Sequence, residues 1–201
     1  LARAFAKIPT HLWRQMNDTL LRQLGVQEDL VAADTTGFQD TQASAHYRAR
    51  SGRQYRLWHK AGFVVGTRSQ FVLGMTAGRG LYPDVHWLPA LRRQAQRYVP
   101  RAGRSARVWL VADKGFDGQT VEWTDGIPPI RRGKRLRSFV RQLRAELVER
   151  LRAAGIYGQR WKSETVISVI KRKFGEGVRS RLWWLARREL VVKGLVYNLY
   201  R

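Results

Sequence analysis

Apolar residues along this chain follow two spacings. Ile8, Leu12, Trp13, Met16, Leu20, Leu21 and Leu24 recur at helical intervals, so a helix is expected over residues 8–24. Leu30 to Phe38 is a short apolar run ending in a polar loop and reads as a first strand. Residues 55–66 and 70–77 are strand-like on either side of Thr67 to Ser69, which predicts an antiparallel hairpin. Pro83 opens a helix through Tyr98 that carries Val85, Leu88, Leu91 and Ala95 on one side. Val108 to Ala112 is a buried strand ending at Asp113, and Ile127 to Ile130 reads as a short final strand at a sheet edge. Beyond it, residues 137–153, 159–174 and 183–200 again show helical spacing. The order of helix, three strands, helix, two strands and terminal helices predicts an α/β fold, a mixed sheet flanked by helices.

Charge narrows the class. The 201 residues carry 38 Lys and Arg against 15 Asp and Glu, a formal charge of +23, and 30 of the cations are Arg. Residues 131–201 alone hold 20 cations and 5 acids. A hydrophobic content of 44% indicates a packed domain, not a basic tail, so the excess charge points to a polyanionic partner, nucleic acid above all. The absence of Cys excludes disulfide scaffolds, zinc knuckles and thiol nucleophiles. No apolar run approaches the roughly 18 residues of a membrane span, and no signal peptide is visible at Leu1 to Ile8. A nucleoid-associated, cytoplasmic protein is expected, and because the chain begins at Leu1, its natural start is expected upstream.

With acids so few, their positions are informative. Asp34 closes the first strand and Asp113 closes the later buried one, where open α/β sheets bind ligands; each also suits a turn or helix cap. Tyr157, Arg160, Glu164 and Lys171 stand at offsets 0, 3, 7 and 14. On one helix these fall within an arc of about 60°, opposite Val166, Val169, Ile170 and Phe174. An ordinary Arg160–Glu164 pair would account for two of the four. Three converging carboxylates can hold two divalent cations about 4 Å apart, the arrangement used in phosphodiester chemistry, and Mg²⁺ suits such oxygen ligands. Asp40, Asp117 and Asp125 lie near the proposed ligands and could replace one of them, Asp117 reading better as a loop cap. His46, His59 and His86 lack metal-ligand spacing. Trp161 reads as either a base-stacking ring or a core residue, and Trp183 and Trp184 as core or helix-packing residues. The basic run Arg131, Arg132, Lys134, Arg135, Arg137 is a candidate for tracking a DNA backbone.

These residues resemble the catalytic domain of a bacterial insertion-sequence transposase of the DDE type. Asp34 lies in ADTTGF, Asp113 in ADKGFDG, and Tyr157, Arg160, Glu164 and Lys171 keep every interval of the group's Y-R-E-K signature, in a match running from about Val31 to Leu199. The resemblance implies a ribonuclease-H-like fold over residues 29–201, with residues 1–28 a helical extension left from a truncated end-recognition region. It implies Mg²⁺-dependent hydrolysis at transposon ends, with Mn²⁺ as a substitute, then attack of the freed 3′-hydroxyl on target DNA. Asp34, Asp113 and Glu164 would be the metal ligands; Tyr157, Arg160 and Lys171 would contact phosphates; the partners would be double-stranded DNA and a second copy of the chain. Only 50 residues separate Asp113 from Glu164, so the β-rich insertion of some relatives is absent, and with it the basis for hairpin-type chemistry. The same residues would also serve a simple Mg²⁺-dependent nuclease of this fold, or survive in an inactive DNA-binding remnant.

Overall fold

A computed structural model describes residues 2–41, 50, 58–80, 82–100, 108–130 and 136–201. Its centre is β1, Val31–Asp40. Strand β2, Trp58–Gly66, pairs antiparallel with β1, and β3, Val72–Arg79, pairs antiparallel with β2. The expected hairpin is thus present, turning through Thr67 to Ser69. Strand β4, Leu110–Ala112, runs parallel to the start of β1, with Val31 opposite Leu110 and Ala33 opposite Ala112. The two-residue β5, Gly177–Val178, runs parallel to its end, opposite Gln39 and Asp40. The order β3-β2-β1-β4 with β5 also on β1 makes a mixed sheet of five strands.

Helices cover both faces. Two short helices, α1 (Ala2–Lys7) and α2 (Thr10–Gln23), precede the sheet, and α3 is Leu88–Ala95. Then follow α4 (Phe139–Ala153), α5 (Trp161–Phe174) and α6 (Trp183–Tyr200). Alternate residues of each strand go to separate cores. Val31, Ala33, Val64, Leu73, Leu110 and Ala112 pack with Leu88, Leu91 and Ala95 of α3. Phe38, Phe63, Val65, Val72 and Met75 pack with Val166 and Ile170 of α5 and Leu190 and Val191 of α6. Burial on both sides explains why the strands read as apolar runs without polar alternation. Gly194 lets α6 settle onto the sheet: a Cβ there would lie 2.8 Å from Met75 Sδ and 3.3 Å from the Phe63 ring.

The outer edge of β3 is closed by side-chain amides, which protect a strand that would otherwise offer a free pairing edge. Asn17 Nδ2 donates to the Val72 carbonyl at 3.0 Å, and Asn198 Oδ1 accepts from Val72 N at 2.8 Å. Gln94 Oε1 accepts from Met75 N at 3.1 Å. No helix among the described residues is long and apolar enough to cross a membrane.

Four expectations are corrected. Asp34 does not close the first strand: β1 continues through it to Asp40, because residues 35–39 stay paired with β2. Ile127 to Ile130 forms no strand: Gly126 makes a single parallel bridge to Val111, and Pro128 and Pro129 have no N–H to extend it. The fifth strand is Gly177–Val178, in a stretch the apolar pattern leaves as a loop. The helix expected from Pro83 to Tyr98 is divided into a 3₁₀ turn, Asp84–His86, and α3, because Pro89 fixes its own φ and restricts the residue before it. Asp117 is no loop cap either. It is buried in ion pairs with Arg141 and Arg144, and it accepts from Ile130 N at 2.8 Å. Asp125, also buried, pairs with Arg92.

Replacing Asp117 strands Arg144, whose side chain is 2% exposed. An uncompensated buried charge of this kind costs about 3–5 kcal/mol. Asp117→Ala is therefore expected to lower the urea-unfolding free energy by about that amount, and an unchanged midpoint would show that the cluster contributes nothing.

Candidate active site

The parallel register of β1 and β4 places two carboxylates side by side. One step beyond the last pair, Ala33 and Ala112, come Asp34 and Asp113. Ala33 and Ala112 enter the core under α3, so the period-two alternation directs Asp34 and Asp113 toward the opposite face, the one α5 covers. Asp34 Oδ1 accepts from Thr35 N at 2.8 Å, and Asp113 Oδ1 accepts from Lys114 N at 2.7 Å. The second contact caps the 3₁₀ turn Lys114–Phe116, so the capping role is real for Asp113. Each of these contacts uses one oxygen of its carboxylate.

Glu164 lies in the first turn of α5, with Lys171 two turns further on. Asp34, Glu164 and Lys171 line one open cavity of about 500 Å³, together with Thr35, Thr36, Arg172 and Glu176. Asp113 lines a neighbouring cavity of about 600 Å³ with Lys114, Pro128, Glu149 and Arg152. Among the described residues no three carboxylate or imidazole groups stand close enough together to hold one metal ion.

Tyr157 departs from the helical-wheel expectation, while Arg160 keeps its place one turn before Glu164. Residues Tyr157–Arg160 form a 3₁₀ turn, and α5 begins only at Trp161. The tighter turn rotates Tyr157 away from the α5 face, and its hydroxyl reaches the Ala112 carbonyl at 3.4 Å. Burial pushes that hydroxyl above the usual tyrosine range, so it stays protonated as a donor. Arg160 Nη1 lies 2.7 Å from Glu164 Oε1, the i, i+4 pair open to the sequence reading. Its side-chain partner Glu164 is half exposed, so the pair itself stabilises little.

Electrostatics mark Asp34, as they mark Asp125, whose carboxyl burial also pushes up to about 6 beside Arg92. Burial pushes the Asp34 carboxyl up to about 6, with the charges of Glu164 and Asp84 pushing the same way and Thr35 N–H and Arg160 opposing. Asp84 is a residue the sequence reading passed over as part of a helix start. It accepts from Thr35 Oγ1 at 2.6 Å and is ion-paired with Lys60. It also crowds the turn after Asp113, since a Cβ on Gly115 would lie 2.5 Å from Asp84 Oδ2. One carboxylate behind the sheet thus touches both segments that carry the front pair. Glu176, also overlooked, lines the cavity beside β5.

The remaining candidates separate clearly. Trp161 is half exposed with Lys162 Nζ 5.9 Å from its ring centre, so the core alternative is excluded. Trp183 is likewise half exposed, contrary to a core role. His59 is buried beside Asp40, and burial lowers its pKa. Arg131 and Arg132, with Lys134, Arg135 and His46, lie outside the described residues.

A family model for the transposase DDE domain matches residues 25–199. No curated protein and no solved structure matches. The family match spans the sheet, both aspartate strands and the helix bearing Glu164, and the mixed sheet flanked by helices is the ribonuclease-H-like architecture of such domains. The chain belongs to the family of transposases built on a DDE domain.

Proposed function

We propose that this domain, residues 29–201 with residues 1–28 as a helical extension, cuts DNA at transposon ends and joins the freed 3′-hydroxyl to target DNA, working as a dimer on double-stranded DNA in a prokaryotic nucleoid. Asp34, Asp113 and Glu164 are the carboxylates that would hold two Mg²⁺ ions, with Mn²⁺ able to replace them. The observation that carries this reading is the placement of Asp34 and Asp113 at one level on adjacent parallel strands, with Asp34 sharing its cavity with Glu164 of α5.

The donor set fits a hard divalent cation. It is all oxygen, and the Asp34 carboxyl is held up to about 6 by burial and by neighbouring carboxylates, a repulsion that a bound cation relieves. When bound, two such ions activate the attacking oxygen and stabilise the leaving oxygen. The chain's own groups do the positioning. Arg160 holds Glu164 in its ion pair and must yield that oxygen for Glu164 to serve as a ligand. Tyr157 offers a protonated hydroxyl at the end of β4, and Lys171 presents its cation along the cavity wall. Both suit contacts with phosphate oxygens near the cut bond. Trp161, exposed beside Arg160, can stack on an unpaired base. Arg131 and Arg132 complete the proposed backbone contacts.

Asp34→Ala, Asp113→Ala and Glu164→Ala should each abolish Mg²⁺-dependent cleavage of end-bearing DNA while leaving binding intact. Retained cleavage in any of them removes that residue from the site. Nicking without joining by the unaltered chain indicates a nuclease, and binding without cleavage an inactive remnant. Lys171→Ala should weaken binding and flatten its dependence on log salt by about one unit, the share of a single phosphate contact. Asp84→Ala should lower cleavage about 10- to 100-fold, in the range of support lost behind metal ligands, and raise the Mg²⁺ concentration needed for half-maximal rate. An unshifted Mg²⁺ requirement would reduce Asp84 to a packing role.

A further inference from the structure

A second cationic site lies at the far edge of the sheet. Between α2, α3 and the outer strand β3 is a cavity of about 320 Å³, into which His11, Arg14, Arg93 and Arg97 converge. Asp18 is the single carboxylate among its described lining residues. That carboxylate is already engaged, accepting from the Tyr98 hydroxyl at 2.5 Å and paired with Arg22 at 3.0 Å and Arg97 at 3.4 Å. Arg14 has no such relief. Its Nε is buried without an acceptor, as is that of Arg187 on α6.

A guanidinium taken out of water without a counter-charge is costly, and a second cation beside it raises the cost. Burial lowers the Arg14 pKa, and the charge of Arg187 lowers it further. Arg93 and Arg97 on one side and His11 on the other leave the cavity open to an anion that would satisfy Arg14. The cavity lies at the outer strand β3, so β2 stands between that strand and β1, which carries Asp34.

We infer that this cleft is a second DNA-backbone site, in which Arg14 and Arg93 grip a phosphodiester of a duplex segment other than the one at the carboxylates. The inference rests on DNA being the substrate of the family and not on which carboxylates hold metal. Arginine suits the role because its planar fork matches phosphate oxygens and its charge is permanent. A transposase handles both a transposon end and a target, and two separated cationic clefts give the chain a place for each.

The test uses the whole chain in EDTA, which makes it independent of any cleavage chemistry. Binding of a mixed-sequence duplex is followed by fluorescence anisotropy across a salt series for the unaltered chain, Arg14→Met, Arg93→Met and Arg150→Met. The last removes an equal charge from an exposed position of α4. Arg14→Met and Arg93→Met should each bind several-fold more weakly than Arg150→Met, with a log–log salt slope flatter by about one unit. Without DNA, Arg14→Met should melt no lower than the unaltered chain, because a buried donor without an acceptor has been removed. Equal binding by all three variants would overturn the site. So would a lowered Tm for Arg14→Met together with unchanged binding by Arg93→Met.

Discussion

The parallel pairing of β1 with β4 is the contact on which the candidate site depends. Three residue pairs fix it, and a shift of one residue would turn Asp34 or Asp113 to the other face of the sheet. The register is held by burial on both sides. Val31, Ala33, Leu110 and Ala112 belong to the core under α3, so a slipped β4 would push Val111 and Asp113 into it. Burying a carboxylate among Leu88, Leu91 and Phe116 is costly enough to forbid that alternative. The same strand β1 also receives β2 and β5, so most of the sheet is organised on the element that carries Asp34.

The site is also a balance of charge within a chain of +23. Acids in such a field are held in place by cations at almost every turn. Asp117 is tied to Arg141 and Arg144, Asp125 to Arg92, and Asp84 to Lys60. Burial pushes the carboxyls of both Asp125 and Asp34 up to about 6, but Asp125 is paired with Arg92, whereas the nearest fixed support of Asp34 is the Thr35 N–H. A buried acid whose shift comes from desolvation and like charges in a cleft has the features of a ligand or catalyst more than of a structural pair. The carboxylates that serve stability and the one poised for chemistry are thus distinguished by their partners, not by residue type.

Much of this was legible in the chain. The hairpin, the start of β1, the apolar face of α5 and the end of β4 before Asp113 follow from spacing alone, whereas Asp34 lies inside a strand that runs on to Asp40. Asp34 and Asp113 stand out because a carboxylate at the end of an apolar run is conspicuous. Other features carry no periodic signal. Gly177–Val178 is too short to show a period, and its pairing is set by the exit of α5 and the far end of β1. Ile127 to Ile130 has strand-like side chains but lacks the N–H groups of two prolines. Tyr157 keeps its spacing to Glu164, yet a 3₁₀ turn of three residues per turn places it elsewhere than an α-helix would. Asp84 sits far from both aspartates in sequence and meets Thr35 and Gly115 only after the sheet forms.

The distribution of unpaired charge gives the last distinction. Most of the described Lys and Arg residues sit on exposed positions, where water satisfies them and a DNA backbone competes only through counterion release. Arg14 is different, because folding has already taken its Nε from water without supplying an acceptor. A phosphate entering the cleft, as inferred above, would supply that acceptor, so the cleft would contribute more per contact than an exposed arginine does. The carboxylate cavity has the opposite sign, with Asp34 held up by burial until a cation enters. Anions are wanted at one edge of the sheet and cations at its centre. On the proposed reading, phosphates of a DNA strand would enter the first and divalent cations the second, so substrate binding would lower the electrostatic strain at both.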